Sequence, residues 1–218
     1  MATIDFNQKF IITVGREMGS GGHTIAEKLA ERLGVRFCDK QVMQQLMKQF
    51  DLSVNEIEHI KSRKQSWLRD FFDAIAPVAR KEVFVQSAPI ATAEYAVTAS
   101  DIASAEAQIL QELASEESCV VAGRAGFSIL KDFPNRLDVF IRSSWDNRVE
   151  RVCAKQGVSP EEAETVLRNV DESRENYVRR ICGRSRYDAR NYDIILNVDS
   201  LTEDEAADII LDYAKFGK

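Results

Sequence analysis

Four of the ten glycines in this chain fall between Gly15 and Gly22, directly after the apolar run Phe10-Ile11-Ile12-Thr13-Val14 and just before the helical pattern Ile25-Ala26-Glu27-Lys28-Leu29-Ala30-Glu31-Arg32-Leu33. Glycine admits positive φ and lets a ligand meet the main chain without a Cβ in the way. Successive amides in the stretch Gly15-Arg16-Glu17-Met18-Gly19-Ser20-Gly21-Gly22-His23-Thr24 can therefore point at one anion. The helix that follows adds the N–H groups of its first turn and the positive end of its dipole. A strand, a glycine-rich turn and a helix in this order form a phosphate cradle. The competing reading is a tight turn that binds nothing, which one glycine would serve. Where a nucleotide-binding loop carries a lysine after its glycines, this sequence has Gly22 and then His23.

Short apolar runs recur at Phe10 to Val14, Cys119 to Ala122, Leu137 to Ile141 and Ile194 to Asn197, with a weaker one at Val35 to Cys38, and helical segments lie between them. That spacing is the signature of a parallel sheet buried on both faces. It predicts a three-layer α/β fold whose ligand crevice lies at the carboxyl ends of the strands. Helix starts are marked by capping-box spacing at Ser53 with Glu56, Ser159 with Glu162, and Thr202 with Glu205. The last opens a helix with Ala206, Ile209, Ile210 and Tyr213 on one face. From Asp51 to Ser118 the chain reads as several helices, one with Trp67, Leu68, Phe71, Phe72 and Ile75 on a stripe suited to core packing or a dimer contact.

A length of 218 residues with 44% hydrophobic content supports a single domain spanning the chain. The net charge of −6 argues against a general nucleic-acid binder, so any anion site must be local. Met1-Ala2-Thr3-Ile4-Asp5-Phe6 lacks the pattern of a signal peptide and no run is long enough for a bilayer, which leads to the expectation of a cytoplasmic protein without membrane contact. Cys38, Cys119, Cys153 and Cys182 lack metal or redox spacing and read as reduced thiols. His59, the second histidine beside His23, lies in a charged stretch and reads as solvated.

Six arginines, Arg174, Arg179, Arg180, Arg184, Arg186 and Arg190, crowd into one segment of this acidic chain. Guanidinium groups bind phosphate oxygens in bidentate fashion and keep their charge. With Arg148 and Arg151 earlier, at i, i+3 spacing, the segment 148–190 reads as a phosphate-covering arm; the competing reading is a solvated helix paired with Asp171, Glu172 and Glu175. Asp39 and Gly123-Arg124 follow the second and third strands and so fall at the crevice. There Asp39 can accept from a sugar hydroxyl or orient a metal-bound water, or simply cap a helix, and Arg124 can hold an acceptor's phosphate.

These residues resemble the cytidylate kinases, and more closely the bacterial cytidylate kinase-like proteins with a Gly-Arg-Glu-x-Gly-Ser-Gly-Gly loop. The resemblance runs through Ile11 to Leu33, Val120-Val121-Ala122-Gly123-Arg124, Leu137-Asp138-Val139-Phe140-Ile141, Arg148, Asp171-Glu172-Ser173-Arg174 and Tyr192-Asp193-Ile194-Ile195-Leu196-Asn197. It implies a P-loop NTPase-type sheet with a helical, acceptor-binding region over about 40–117 and an arginine-rich lid. It further implies ATP and Mg2+ as cofactors, with donor phosphates on Gly15, Gly19, Ser20, Gly21, Gly22, His23 and Thr24, and the metal on Ser20 or Thr24, directly or through water. Asp39, Arg124, Asp171 and Arg174 would bind the acceptor, and Arg16, His23, Arg148, Arg174 and Arg180 are candidates to neutralise the transferring group. Two positions depart from the cytidylate kinase pattern: Gly22 stands in place of the loop lysine, and Ala125 in place of an aspartate that helps read the base. The implied activity is phosphoryl transfer from ATP to a nucleoside monophosphate such as CMP or a related small molecule. The alternatives are a nucleotide-binding regulatory protein that keeps the fold without catalysis, and an assembly protein using the Trp67 stripe, which could also serve a homodimer.

Overall fold

The computed structural model describes residues 4–51, 53, 57 and 98–216. Its centre is a five-stranded parallel sheet of β1 (Ile11–Arg16), β2 (Arg36–Cys38), β3 (Cys119–Ala122), β4 (Arg136–Arg142) and β5 (Ile194–Asn197), in the order β2-β3-β1-β4-β5. Parallel strands need crossovers, and here helices supply them. The chain leaves β1 toward the β3 side and leaves β4 toward the opposite edge. Loops that diverge in this way open a crevice at the carboxyl end of β1.

Alternation along the strands divides the core between two faces. Ile12 and Val14 of β1 pack with Val120, Ala122, Leu137, Val139 and Ile141 beneath α1 (Gly22–Leu33) and the C-terminal helix. Ile11, Cys38, Cys119 and Val121 face the other way, under α2 (Lys40–Phe50) and α3 (Ala99–Glu116). Leu29 is fully buried on the first face, so Leu29→Ala would cost about 2–5 kcal/mol. One polar pair sits within the sheet: Thr13 donates to Asp138 at 2.5 Å, and Asp138 also accepts from Arg136 at 2.8 Å.

After β3 come the short α4 (Gly126–Ile129) and β4, then α5 (Trp145–Gln156) and the long α6 (Pro160–Cys182). Ser144 caps α5; Ser159 and Glu162 form the expected capping box on α6. The last helix, α7 (Glu203–Lys215), opens on the Thr202–Glu205 box. Its buried face is Ala206, Ala207, Ile210 and Ala214, whereas Ile209 is exposed, a shift from the sequence reading that reflects packing against α1. Lys28 and Arg32 of α1 pair with Asp204, and Arg32 also with Asp208, which ties the two helices together. The Ser53–Glu56 box, His59, and the Trp67 stripe with its dimer contact lie outside the described residues. No helix among the described residues is long and apolar enough to cross a membrane.

Candidate active site

At the carboxyl end of β1 the chain turns through Glu17 to Gly21 and enters α1 beside a cavity of about 1220 Å³. Gly19 and Gly21 take left-handed φ of 78° and 79°. Helices α3, α5, α6 and α7 are each capped by a hydroxyl side chain. In contrast, α1 has no side-chain cap and no acid in its first turn. First-turn amides have no partner inside a helix; here Gly22 N turns to Ser20 Oγ, and the amides of His23 and Thr24 are placed to suit an anion. Gly19, Gly21, Gly22, His23 and Thr24 all line the cavity, as does Gly15 below them. Ser20 is fully buried: its hydroxyl donates to Glu17 O at 2.8 Å and accepts from Gly22 N at 3.3 Å. It shapes the loop from within, and of the two residues expected at a metal, Thr24 is the one on the cavity.

Arg16 takes the space that a loop side chain at Gly22 would need. A Cβ built on Gly22 would stand 2.5 Å from Arg16 Cβ and 3.1 Å from Ile141 Cβ. Beyond that point the Arg16 guanidinium runs beneath Gly123, where a Cβ would collide with Nη1. Its Nε is buried with no hydrogen-bond partner. Burial lowers its pKa to about 10; Asp39 opposes the shift and Arg124 and Arg186 add to it, so the group is still cationic at neutral pH. An orphaned buried donor and a cradle that a Cβ would fill together suit a phosphate ligand.

Asp39 occupies the N-cap position of α2 without capping it. Its carboxylate turns instead to Arg124 Nη2 at 3.1 Å and His23 Nδ1 at 3.5 Å. Its pKa is lowered: burial works against the charge, but Arg124, Arg16 and His23 together outweigh it. His23 packs edge-on against Phe37, and burial and then Arg16 push its pKa down. Arg124 also reaches Glu106 Oε1 at 2.5 Å, and Tyr177 donates to Glu106 Oε2 at 2.6 Å. Glu106 and Tyr177 escaped the sequence reading. The available signal was an acid at position 106 among Ile102, Ala105, Ile109 and Leu110, on the buried stripe of α3.

The arginines of the arm divide by role. Arg179 and Arg190 pair at the surface with Glu175 and Asp188, as a solvated segment would. Arg186 is buried; it donates to the Arg16 carbonyl, lies 3.4 Å from Asp171 Oδ1, and packs against Phe140 and Tyr187. Arg148 is buried too, bonding Asp171 Oδ2 at 2.5 Å and Met18 O at 3.2 Å. Asp171 accepts in addition from Met18 N at 2.9 Å. Arg148 and Asp171, anticipated at the transferring group and at the acceptor, thus stand behind the loop and hold its backbone. The physical reason is mutual: a buried carboxylate needs cations and a buried guanidinium needs acceptors. Arg174 and Arg180 line the cavity. Arg174 contacts the Arg16 carbonyl at 3.4 Å, and burial, with Arg16 and Arg186 nearby, pushes its pKa down to about 9. Arg151 donates to Ser20 O at 2.7 Å and also lines the cavity.

A glycine-rich loop that leaves the central strand of a parallel sheet for a helix, with an arginine-bearing helical arm on the same cavity, gives an α/β fold of the P-loop kinase type. The chain belongs to the cytidylate kinase-like family, whose model matches residues 11–200. No curated protein matches the sequence. Among solved structures it is similar to an uncharacterized protein from Eubacterium ventriosum, with 26% identity, a TM-score of 0.69, and coverage of 95% of this chain and 99% of that one. A shikimate kinase from Bacteroides thetaiotaomicron shares the fold at 14% identity and a TM-score of 0.54, over 96% of this chain and all of the other. TT1252 from Thermus thermophilus does so at 15% identity and a TM-score of 0.51, over 97% and 100%.

Proposed function

We propose that the protein is an ATP- and magnesium-dependent phosphotransferase acting on a small molecule, for which the family description makes a nucleoside monophosphate the starting candidate. The observation that carries this reading is the side chain of Arg16 in the volume that a residue at Gly22 would need. The Arg16 guanidinium, which lies at Gly123 and acts on Asp39, would supply from another position the charge that the loop lacks at Gly22.

Phosphoryl transfer asks little covalent chemistry of a protein; positioning and charge neutralisation do most of the work. The amides of Gly19, Gly21, His23 and Thr24 would bind the donor phosphates, with Ser20 N and Gly22 N engaged inside the loop. ATP would supply the transferable group, and the Thr24 hydroxyl would hold magnesium, directly or through water, where the ion would supply positive charge against the donor's phosphates. Arg16 would meet the transferring group from below, and Arg174 and Arg180 from α6. Arg148, Asp171 and Arg186 would fix the loop itself. The cavity exceeds the roughly 300–1,000 Å³ usual for a single small ligand, which leaves room for donor and acceptor together.

The test is ADP release, followed with a coupled assay over a panel of nucleoside monophosphates and hydroxyl compounds. Acceptor-dependent ADP supports the reading. ATP binding without ADP from any acceptor would instead make the protein a nucleotide-binding regulator with a kinase fold.

A further inference from the structure

The cavity wall that runs from β3 into α4 changes character within a few residues. Arg124 carries charge, whereas Ala125 and Phe127 after it are buried and apolar. On the arm, α6 repeats the order: Arg174 lines the cavity, and Tyr177 and Val178 follow it at i+3 and i+4 on the same face. Ala125, Phe127 and Val178 form one cluster with Tyr177 and Tyr192 packed against it, and all five line the cavity. Phe127 and Tyr192 meet edge-on, with ring centres 5.4 Å apart.

Tyrosine hydroxyls in a binding site can read a ligand's polar edge, but here the protein engages both. Tyr177 donates to Glu106 Oε2 at 2.6 Å, and Tyr192 donates to the Arg186 carbonyl at 2.7 Å. A phenol has one proton to give, so what these residues offer the cavity is aromatic ring. Asn176 also lines the cavity, but it falls on the i+4 row of Glu172 and Arg180 rather than beside Tyr177.

The charge in the cavity marks the other end of a ligand. Arg16, Arg151, Arg174 and Arg180 all line it, and Arg174 stands close enough to Arg16 and Arg186 for their charge to lower its pKa. Phosphates of the donor and of an acceptor would balance this excess. Three residues of α6 separate the Arg174 charge from the Tyr177 ring, about 4.5 Å along the helix axis. A nucleoside monophosphate has the same order, an anion at one end and a flat ring at the other.

We propose that the acceptor's base stacks on the aromatic wall of Phe127, Tyr177 and Tyr192 instead of being read by hydrogen bonds, so that ring area sets acceptor preference and purines are favoured over pyrimidines. The inference rests on the phosphotransferase reading with a nucleoside monophosphate as acceptor. Every base has a π-face, so stacking tolerates the identity of the base and responds to its size. Phe127 and Tyr177 are then specificity-determining residues.

The test is calorimetric titration of the full chain, saturated with magnesium and a non-hydrolysable ATP analogue, with AMP, GMP, CMP, UMP and ribose 5-phosphate. The analogue fills the donor side, so the monophosphates report on the acceptor side. AMP and GMP are expected to bind about five- to a hundredfold tighter than ribose 5-phosphate, the range for stacking one base on an aromatic side chain, with CMP and UMP between. Tyr177→Ala and Phe127→Ala should cut that ratio roughly fivefold or more while ribose 5-phosphate affinity holds. Tyr177→Phe should restore it, because the ring returns without the hydroxyl. Thermal unfolding checks each variant, and the Tyr177 pair carries the test if Phe127→Ala does not fold. The inference is overturned if no monophosphate binds, if ribose 5-phosphate binds as tightly as the nucleotides, or if a pyrimidine is preferred. It is equally overturned if a folded Tyr177→Ala keeps the ratio or Tyr177→Phe fails to restore it. Failure of the analogue itself to bind would remove the phosphotransferase reading, which separates the two failures.

Discussion

A β-carbon on Gly22 would lie 2.5 Å from the β-carbon of Arg16, so the two positions cannot both carry side chains while the loop keeps this shape. The glycine is thus the space that Arg16 needs in order to reach beneath Gly123. Gly22→Lys, which restores the residue common in nucleotide-binding loops, should therefore harm this protein. Overpacking of this kind costs about 1–3 kcal/mol. The expected outcome is a lower melting temperature with weaker ATP binding, and a stable variant with tighter ATP binding would count against the arrangement.

His23 does not replace the absent lysine charge. Burial and the neighbouring Arg16 depress its pKa below the usual 6.5, which leaves the ring neutral at pH 7. Once an acceptor is in hand, His23→Ala should lower turnover by less than about tenfold, whereas loss of an arginine at a transferring phosphoryl group costs on the order of 10³-fold or more. Steady-state kinetics of His23→Ala and Arg16→Ala decides; equal losses would give His23 the larger role.

Asp171 gathers Met18 N, Arg148 and Arg186 on one carboxylate. Removing one partner of a buried ion pair leaves uncompensated charge and costs about 3–5 kcal/mol. Asp171→Ala should lose stability of that order in chemical denaturation, because Arg148 and Arg186 are both buried. A loss under about 1 kcal/mol, the range of exposed pairs, would place these contacts among the dispensable ones.

Asp199 supplies a pH dependence with a definite sign. It accepts from Ser144 N and Ser143 Oγ, each at 2.7 Å, and these bonds hold its carboxyl below the usual range. A carboxyl whose folded pKa lies below its unfolded value stabilises the fold above the unfolded pKa of about 3.9 and ceases to do so as pH falls through the lowered value. The melting temperature of the unaltered protein should exceed that of Asp199→Asn at neutral pH, with the gap closing as pH drops below about 4. A gap that is constant from pH 7 to pH 2 would mean that the carboxylate charge plays no part.

What the sequence displays well is local. The apolar runs coincide with all five strands to within two residues, and the boxes at Ser159 and Thr202 cap helices as their spacing requires. Alternation and capping are short-range properties, which is why they can be read from a linear string. The glycine cradle and the crevice positions of Asp39 and Arg124 follow from the same signals. What stays hidden is long-range pairing. Nothing near Asp171 in sequence reveals a bond to Met18, and nothing near Arg16 reveals that its stem excludes a side chain at Gly22. The arginine-rich segment shows a local excess of charge, but whether a guanidinium faces a ligand, a carboxylate or a backbone carbonyl depends on what the fold brings opposite. Arg186 meets the Arg16 carbonyl and Asp171, Arg190 meets Asp188 and Arg180 meets the cavity.

The role of Arg16 can be measured without knowing the acceptor, by comparing ATP, ADP and AMP affinities of the unaltered protein and Arg16→Ala in the presence of magnesium. A hydrogen bond to a charged group contributes about 1.5–3 kcal/mol, or roughly ten- to a hundredfold in affinity. The expected result is that Arg16→Ala loses that factor for ATP while its affinity for AMP is nearly unchanged, so the preference for the triphosphate collapses. An Arg16→Ala protein that is folded and still prefers ATP over ADP and AMP to the original degree would contradict it.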